Sequence, residues 1–133
     1  ATHGVQLSGN VIIASPQLIA DKPEALRAFL KAFAKGAKEV VAQPEAAIAS
    51  LKAKDGLVNV PLEVKRLQLT LETAVDSEGA RKEGFGQINP ERLQLMAEQV
   101  AQAYATKNPI PVNAVWNGSF LPSAAELDVL PKR

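Results

Sequence analysis

One continuous apolar run near the N-terminus stands apart from the rest of the chain, where apolar residues recur every three or four positions. The run ends in Val11-Ile12-Ile13-Ala14 and predicts a single extended strand over Val5–Ala14. An apolar strand of this kind is typical of a buried position in a parallel or mixed sheet. Because one strand cannot satisfy its own backbone hydrogen bonds, we expect it to pair with strands from outside this segment.

The pattern after Ser15 is helical, and the predicted helices carry a proline in their first turn. The clearest helix follows Pro23, and its apolar face consists of Leu26, Phe29, Leu30, Phe33, Ala37, Val40 and Val41. We therefore predict that Phe29 and Phe33 are buried core residues without ligand contact. Gly36 lies inside this helix at a cost of about 1 kcal/mol relative to alanine, for which a close packing partner is the expected reason. Further helices are predicted to begin near Ser15, Gln43, Asn59 and Asn89.

Two later segments lack a long helical period. Residues 76–86 are polar and contain glycine, which predicts a loop. Its end, Gly84-Phe85-Gly86, lacks the third glycine and the Lys-Ser/Thr ending of a phosphate loop, so a tight turn that places Phe85 against the core is the favoured interpretation. Residues 111–133 predict short turns or a short helix, followed by a tail.

Composition excludes several classes of function. The hydrophobic fraction of 47% supports a globular core, whereas a net charge of +1 and 5% aromatic residues argue against nucleic-acid binding. The chain has no cysteine, which excludes disulfides and thiolate metal sites and suits either the cytosol or the periplasm. No apolar run approaches the roughly 20 residues that a membrane-spanning helix needs.

The sequence offers no catalytic set and no metal site. His3 is the only histidine, and neither Ser8 nor Ser119 lies in a Gly-x-Ser-x-Gly motif. The acidic residues have no calcium-loop spacing. We therefore expect no catalytic residues, no metal and no cofactor, and we interpret Trp116 as a core anchor in preference to a ligand platform.

The segment Ser8-Gly9-Asn10 is the candidate ligand-binding site. A glycine inside a strand pattern often marks a bend or a close backbone approach, and the small and amide-bearing neighbours could line a cleft. An ordinary irregularity of the strand explains the same residues equally well, so both interpretations stay open from the strand alone.

The order of these segments resembles a known family. The stretches Gly9–Pro16, Lys22–Phe29, Lys35-Gly36 and Pro44–Ala47 are similar to the C-terminal part of periplasmic substrate-binding proteins of ABC importers. The most similar group takes up nitrate, sulfonates, taurine and the pyrimidine precursor of thiamine. Two later stretches also resemble motifs of that group, namely Gly84-Phe85-Gly86 with Asn89–Arg92, and Asn117–Pro122.

The resemblance implies an α/β fold, as the C-terminal part of a two-lobed type II periplasmic binding protein, mostly helical here with one main strand. Residues 1–14 would be the returning hinge strand, residues 15–122 the helical remainder packed on the first lobe, and residues 123–133 a C-terminal tail. Ser8, Gly9 and Asn10 would then lie at the cleft between the lobes. Family members often carry an aromatic residue just before the Gly-Asn pair, where this chain has Ser8.

The function implied by the resemblance is that of the solute-binding component of an ABC importer. It would capture a small polar molecule by closure of its lobes, without catalysis, in the periplasm or lipid-anchored at the outer face of the cell membrane. Its partners would be the small-molecule ligand, the membrane permease and an N-terminal portion of the same protein, with no nucleic acid. The alternatives are an enzyme of thiamine-pyrimidine synthesis with the same fold, and a free-standing all-α interaction domain, which would leave the Val11–Ile13 strand unpaired.

Overall fold

The computed structural model describes residues 9–132, and this part of the chain consists of helices joined by short loops. The helices are α1 (Pro16–Asp21), α2 (Pro23–Ala42), α3 (Pro44–Lys54), α4 (Val60–Thr70), α5 (Glu78–Glu83), α6 (Pro90–Ala103), α7 (Val112–Val115) and α8 (Ala124–Leu127). A π-helical turn, Leu71–Val75, continues α4, and a 3-10 turn, Gly118–Phe120, precedes α8.

The predicted helix starts are confirmed. Side-chain caps together with prolines explain the starts of α1, α4 and α6, whereas α2 and α3 begin at a proline without a side-chain cap. The Ser15 hydroxyl accepts a hydrogen bond from the Leu18 amide at 3.1 Å, at the start of α1. The side-chain oxygens of Asn59 and Asn89 accept from the first-turn amides of α4 and α6 in the same way. Each cap satisfies an amide that has no partner inside its helix, and the following proline supplies a helical φ without needing a donor.

The predicted strand is absent from the described residues. Residues 9–14 form no regular secondary structure, and the side chains of Val11, Ile12 and Ile13 are exposed, with Ile13 at 87%. The remaining part of the prediction, Val5–Ser8, lies outside the described residues. A β-strand needs a neighbouring strand for its backbone hydrogen bonds, and the helices and loops of residues 9–132 supply none.

The predicted fold class, an α/β arrangement with one main strand from a two-lobed type II binding protein, is therefore wrong for this chain. The described residues form a mostly helical small domain, without a strand or sheet anywhere in residues 9–132. The apolar segment Val11–Ile13 forms no helix either. Strand formation, however, depends on a pairing partner and is not a property of the segment alone.

The core is small and is organised around α2, which contacts α1, α3, the 3-10 turn and α8. Its buried hydrophobic residues are Leu26, Ala34, Ile48, Ala97, Phe120, Leu127 and Val129. The segment 123–133, expected as a tail, contributes Leu127 and Val129 to this core, and Leu127 is only 2% exposed. The C-terminal end of the chain thus holds α2 in place as much as its sequence neighbours do.

The prediction that Phe29 and Phe33 are buried is wrong, because their exposed fractions are 53% and 49%. Helix α2 turns Leu26 and Ala34 inward. The apolar stripe of α2 is wider than the surface that the neighbouring elements cover, so the two phenylalanines lie at its open edge. Their rings stack on each other with centroids 6.2 Å apart.

Gly36→Ala should raise the free energy of unfolding by about 0.5–1 kcal/mol, because alanine loses less conformational freedom than glycine on entering a helix. The close packing partner expected at Gly36 is missing from the described residues, since a Cβ added there meets nothing within 4 Å. Urea denaturation of both proteins at low concentration measures the difference. A loss of stability would show that another group occupies this space.

Candidate functional site

The predicted site Ser8-Gly9-Asn10 lies at the start of the described chain. Ser8 is outside the described residues, whereas Gly9 and Asn10 are exposed. A Cβ added at Gly9 meets nothing within 4 Å, so no described residue makes a close approach to this backbone. The Gly9 and Asn10 positions are therefore accessible, and the described structure brings no other predicted site residue to them.

A second candidate is an open groove of about 320 Å³ between the first turns of α2 and the segment around the 3-10 turn. Its lining residues are Glu24, Arg27, Ala28, Lys31, Phe120, Leu121 and Pro122. One wall is a charged edge of α2 and the other is apolar. Sequence reasoning missed this groove, because its two walls are far apart along the chain and no local motif links them.

Arg27 joins the two walls of the groove. Its guanidinium carbon lies 4.8 Å from the centre of the Phe120 ring, a cation–π geometry. The same group donates a hydrogen bond to the Ser119 carbonyl and lies 3.5 Å from the Glu24 carboxylate. Arg27 therefore has structural partners on three sides, and its main role in this geometry is to fasten the 3-10 turn to α2.

Lys31 makes the second connection, through Glu126 in α8. The Lys31 ammonium lies 2.7 Å from the Glu126 carboxylate, which also accepts hydrogen bonds from the Ser123 hydroxyl and amide at 2.8 and 3.0 Å. The bond from Lys31, and then those from Ser123, lower the pKa of Glu126 to about 2. The same carboxylate raises the pKa of Lys31, so both groups stay charged at neutral pH.

Glu126→Gln should destabilise the protein at neutral pH and have a smaller effect in acid. The pKa of the folded carboxyl, about 2, is below its ordinary value of 4.5, so its contribution is complete above pH 4.5 and is lost as the pH falls towards 2. Urea denaturation of both proteins across this pH range measures the difference. When Lys31→Gln is also present, the pH-dependent difference in the free energy of unfolding caused by Glu126→Gln should become smaller. A difference that does not change with pH would contradict the assigned ion pair between Lys31 and Glu126.

The segment Asp76–Gly86, predicted as a polar loop, contains helix α5 and is held by its own charges. The Ser77 hydroxyl caps α5 by accepting from the Ala80 amide at 3.1 Å. Arg81 donates to both carboxylate oxygens of Asp76 and reaches the Pro131 carbonyl at 3.1 Å. The π-helical turn before Asp76, which no sequence signal predicted, leads the chain into this ion pair. These contacts give the segment Asp76–Gly86 a structural role.

The predicted tight turn at Gly84-Phe85-Gly86 is confirmed. Gly84 and Gly86 have φ values of 104° and 83°, which favour glycine. The Phe85 amide donates to the Leu127 carbonyl at 2.9 Å, and the Phe85 ring stacks on Phe33 with centroids 6.2 Å apart. The glycines thus position an aromatic side chain and a backbone hydrogen bond.

The remaining candidates, His3, Ser119 and the acidic residues, form no catalytic or metal-binding site among the described residues. His3, the only histidine in the sequence, lies outside the described residues. Ser119 is exposed beside the hydrogen bond from Arg27, and no described histidine could serve as its base. Within residues 9–132, no group of three or more His, Asp or Glu side chains could hold a metal ion. None of the helices in this range combines the length and hydropathy that crossing a bilayer requires.

Comparison with known proteins gives a match to a family model. Residues 1–47 match the model of a family described as NMT1/THI5 like, which belongs to the periplasmic binding protein group. The matched span includes Ser8-Gly9-Asn10, α1 and α2, and therefore the α2 wall of the groove. No curated protein and no solved structure matches the chain with significant similarity. The match supports a relationship to this family over the N-terminal part of the chain.

Proposed function

We propose that this chain is part of the solute-binding component of an ABC import system and captures a small polar molecule. The observation that carries the proposal is the match of residues 1–47 to the NMT1/THI5-like family. The ligand classes implied by the sequence resemblance are nitrate, sulfonates, taurine and the pyrimidine precursor of thiamine. The proposed role is capture and delivery, without catalysis.

We place the ligand contact of this chain at Ser8, Gly9 and Asn10. Gly9 lets a ligand approach the backbone closely, and Asn10 offers both a donor and an acceptor to a small polar molecule. The exposure of Gly9 and Asn10 supports this assignment, because no described residue blocks them. All three residues lie within the span that matches the family.

The proposal also covers partners and location. The import function requires a membrane permease, and the resemblance adds an N-terminal portion of the same protein that precedes these residues. We propose a location in the periplasm or, through a lipid anchor, at the outer face of the cell membrane. The runner-up, an enzyme of thiamine-pyrimidine synthesis, would need catalytic groups that the described residues do not bring together.

Asn10→Ala should weaken ligand binding about tenfold or more, since one or two polar hydrogen bonds to the ligand are lost. Calorimetric titration of the full-length protein with nitrate, taurine, an alkylsulfonate and the aminopyrimidine measures this. Asn113→Ala is the matched control, because it removes an exposed asparagine outside the matched span.

Each outcome of the titration bears on a different part of the proposal. If none of the four compounds binds, the solute-binding role is contradicted for these ligand classes. If one binds and Asn10→Ala leaves its affinity unchanged with an intact fold, residues 8–10 are removed from the site. If the bound compound is recovered chemically altered, the enzyme alternative replaces the transport role.

A further inference from the structure

Asn117 is the one asparagine of the sequence that is followed by glycine. It is exposed and lies directly before the 3-10 turn Gly118–Phe120. Asparagine is one of the thermolabile residues of proteins, because its side-chain amide can be attacked by the next backbone nitrogen. Glycine has no Cβ to shield that nitrogen. The dipeptide therefore brings a reactive amide and an unshielded nitrogen to the turn that carries Phe120.

The folded turn holds the Asn117 side chain. Its Oδ1 accepts a hydrogen bond from the Ser119 amide at 3.0 Å, whereas its Nδ2 has no hydrogen-bond partner in residues 9–132. The Asn117 backbone is extended, with φ −134° and ψ 99°. Attack by the Gly118 nitrogen on Asn117 Cγ requires the side chain and this backbone to rotate, so the reaction proceeds when the turn opens locally.

We propose that Asn117 is a deamidation site and that its conversion releases the 3-10 turn from α2. The Gly118 backbone nitrogen forms a bond to Asn117 Cγ, the bond from Cγ to Nδ2 breaks, and the proton of the attacking nitrogen leaves with ammonia. Water then opens the resulting imide ring at one of its two carbonyls, which leaves aspartate or isoaspartate at position 117. Water is the only co-reactant, and nothing is oxidised or reduced. The proposal is independent of the transport role.

Isoaspartate removes the cap of the turn. The former side-chain carbonyl becomes part of the backbone, which is lengthened by a methylene group, so the side-chain acceptor for the Ser119 amide is lost. The turn has two contacts to α2, namely the bond from Arg27 to the Ser119 carbonyl and the Arg27 guanidinium 4.8 Å from the Phe120 ring centre. A longer backbone before the turn displaces both partners of Arg27. Conversion therefore weakens the anchor of Phe120, which is a buried core residue.

Arg27 protects Asn117, because it holds the turn closed. Arg27→Gln removes the bond to the Ser119 carbonyl, so Asn117 should deamidate about fivefold faster, the factor that corresponds to one typical hydrogen bond. Glu24→Gln is the matched control, since it changes the exposed carboxylate beside Arg27 and leaves the contacts of Arg27 to the turn. An unchanged rate in Arg27→Gln, with a fold that circular dichroism shows to be intact, would contradict this protection.

Prolonged incubation of this chain at physiological temperature and mildly alkaline pH, followed by peptide mapping, tests the proposal. The chain has no lysine or arginine between positions 108 and 131, so trypsin releases residues 108–132 as one peptide that contains both Asn113 and Asn117. Asn117 should convert about tenfold faster or more, because Asn113 is also exposed but is followed by alanine. Ion exchange separates the converted protein, which carries an additional negative charge and should unfold at a lower urea concentration.

Gly118→Ala is the matched variant, because it shields the attacking nitrogen and keeps the Asn117 cap. Gly118 has no positive φ, and an added Cβ would have its nearest atom, Trp116 Nε1, at 3.4 Å, so alanine fits the turn. The variant should deamidate about tenfold more slowly and keep its urea midpoint during incubation. Equal conversion of Asn117 in both proteins, or conversion no faster than at Asn113, would overturn the deamidation site. Converted wild-type protein with an unchanged urea midpoint would overturn the release of the turn.

Discussion

Phe120→Ala should lower the free energy of unfolding by about 3–5 kcal/mol, the largest loss we expect from a single substitution in this chain. Phe120 is only 8% exposed and fills the space between the 3-10 turn and α2. Its ring also receives the Arg27 guanidinium at 4.8 Å. Removal of the ring leaves a cavity in a small core and takes away a partner of the group that joins the two segments.

Phe29→Ala is the matched control for this experiment. It removes the same side chain from a position that is 53% exposed, so we expect a loss of only about 1 kcal/mol, mostly from its contact with Phe33. Urea denaturation followed by far-UV circular dichroism, at low protein concentration, measures both variants. Equal losses at Phe120 and Phe29 would contradict the assigned orientation of α2.

Gly84→Ala should cost about 2–4 kcal/mol, the second largest expected effect. Gly84 has φ 104° and ψ 158°, a backbone conformation that is open almost only to glycine. A Cβ at this position would also lie 3.0 Å from the Leu127 Cβ, so the most buried part of the C-terminal segment would have to shift. The Phe85–Leu127 backbone hydrogen bond depends on the same turn.

Two further glycines separate the causes of this loss. Gly86→Ala meets its nearest atom, Leu121 Cδ2, only at 4.0 Å, so its cost should be smaller and come from the positive φ of 83°. Gly36→Ala should stabilise the protein, because its position is helical and open. Thermal or urea denaturation should show the largest loss of stability for Gly84→Ala, a smaller loss for Gly86→Ala and a gain for Gly36→Ala. A Gly84→Ala protein as stable as the wild type would contradict the described turn.

The starting points of α1 to α4 and α6 could be predicted from local sequence, because each start depends on groups only a few residues apart, whereas α5 lies in a segment that was predicted as a loop. Ser15, Asn59 and Asn89 cap the amides of the next turn, and the prolines that follow them fit the first helical positions. The turn at Gly84-Phe85-Gly86 was predictable for the same reason, since the φ values it needs favour glycine.

The two candidate sites differ in the same way, since one was predicted from neighbouring residues and the other depends on residues far apart in the sequence. Ser8-Gly9-Asn10 was proposed from neighbouring residues and from the family resemblance, and its role in binding stays a prediction. The groove between α2 and the 3-10 turn was not predictable, because its central hydrogen bond joins Arg27 and Ser119 across 92 residues. Neither residue has a distinctive local signal, so only the folded chain brings them together.

The sequence by itself determined the helices α1 to α4 and α6 and where they begin, since these properties depend on hydrogen bonds and backbone preferences within one turn. Only the tertiary structure decided which side of α2 is covered, and it left Phe29 and Phe33 exposed while burying Leu26 and Ala34. It also decided that residues 9–14 form no strand. Burial and strand pairing both require a partner surface, and the apolar pattern of one segment does not specify whether that partner is present.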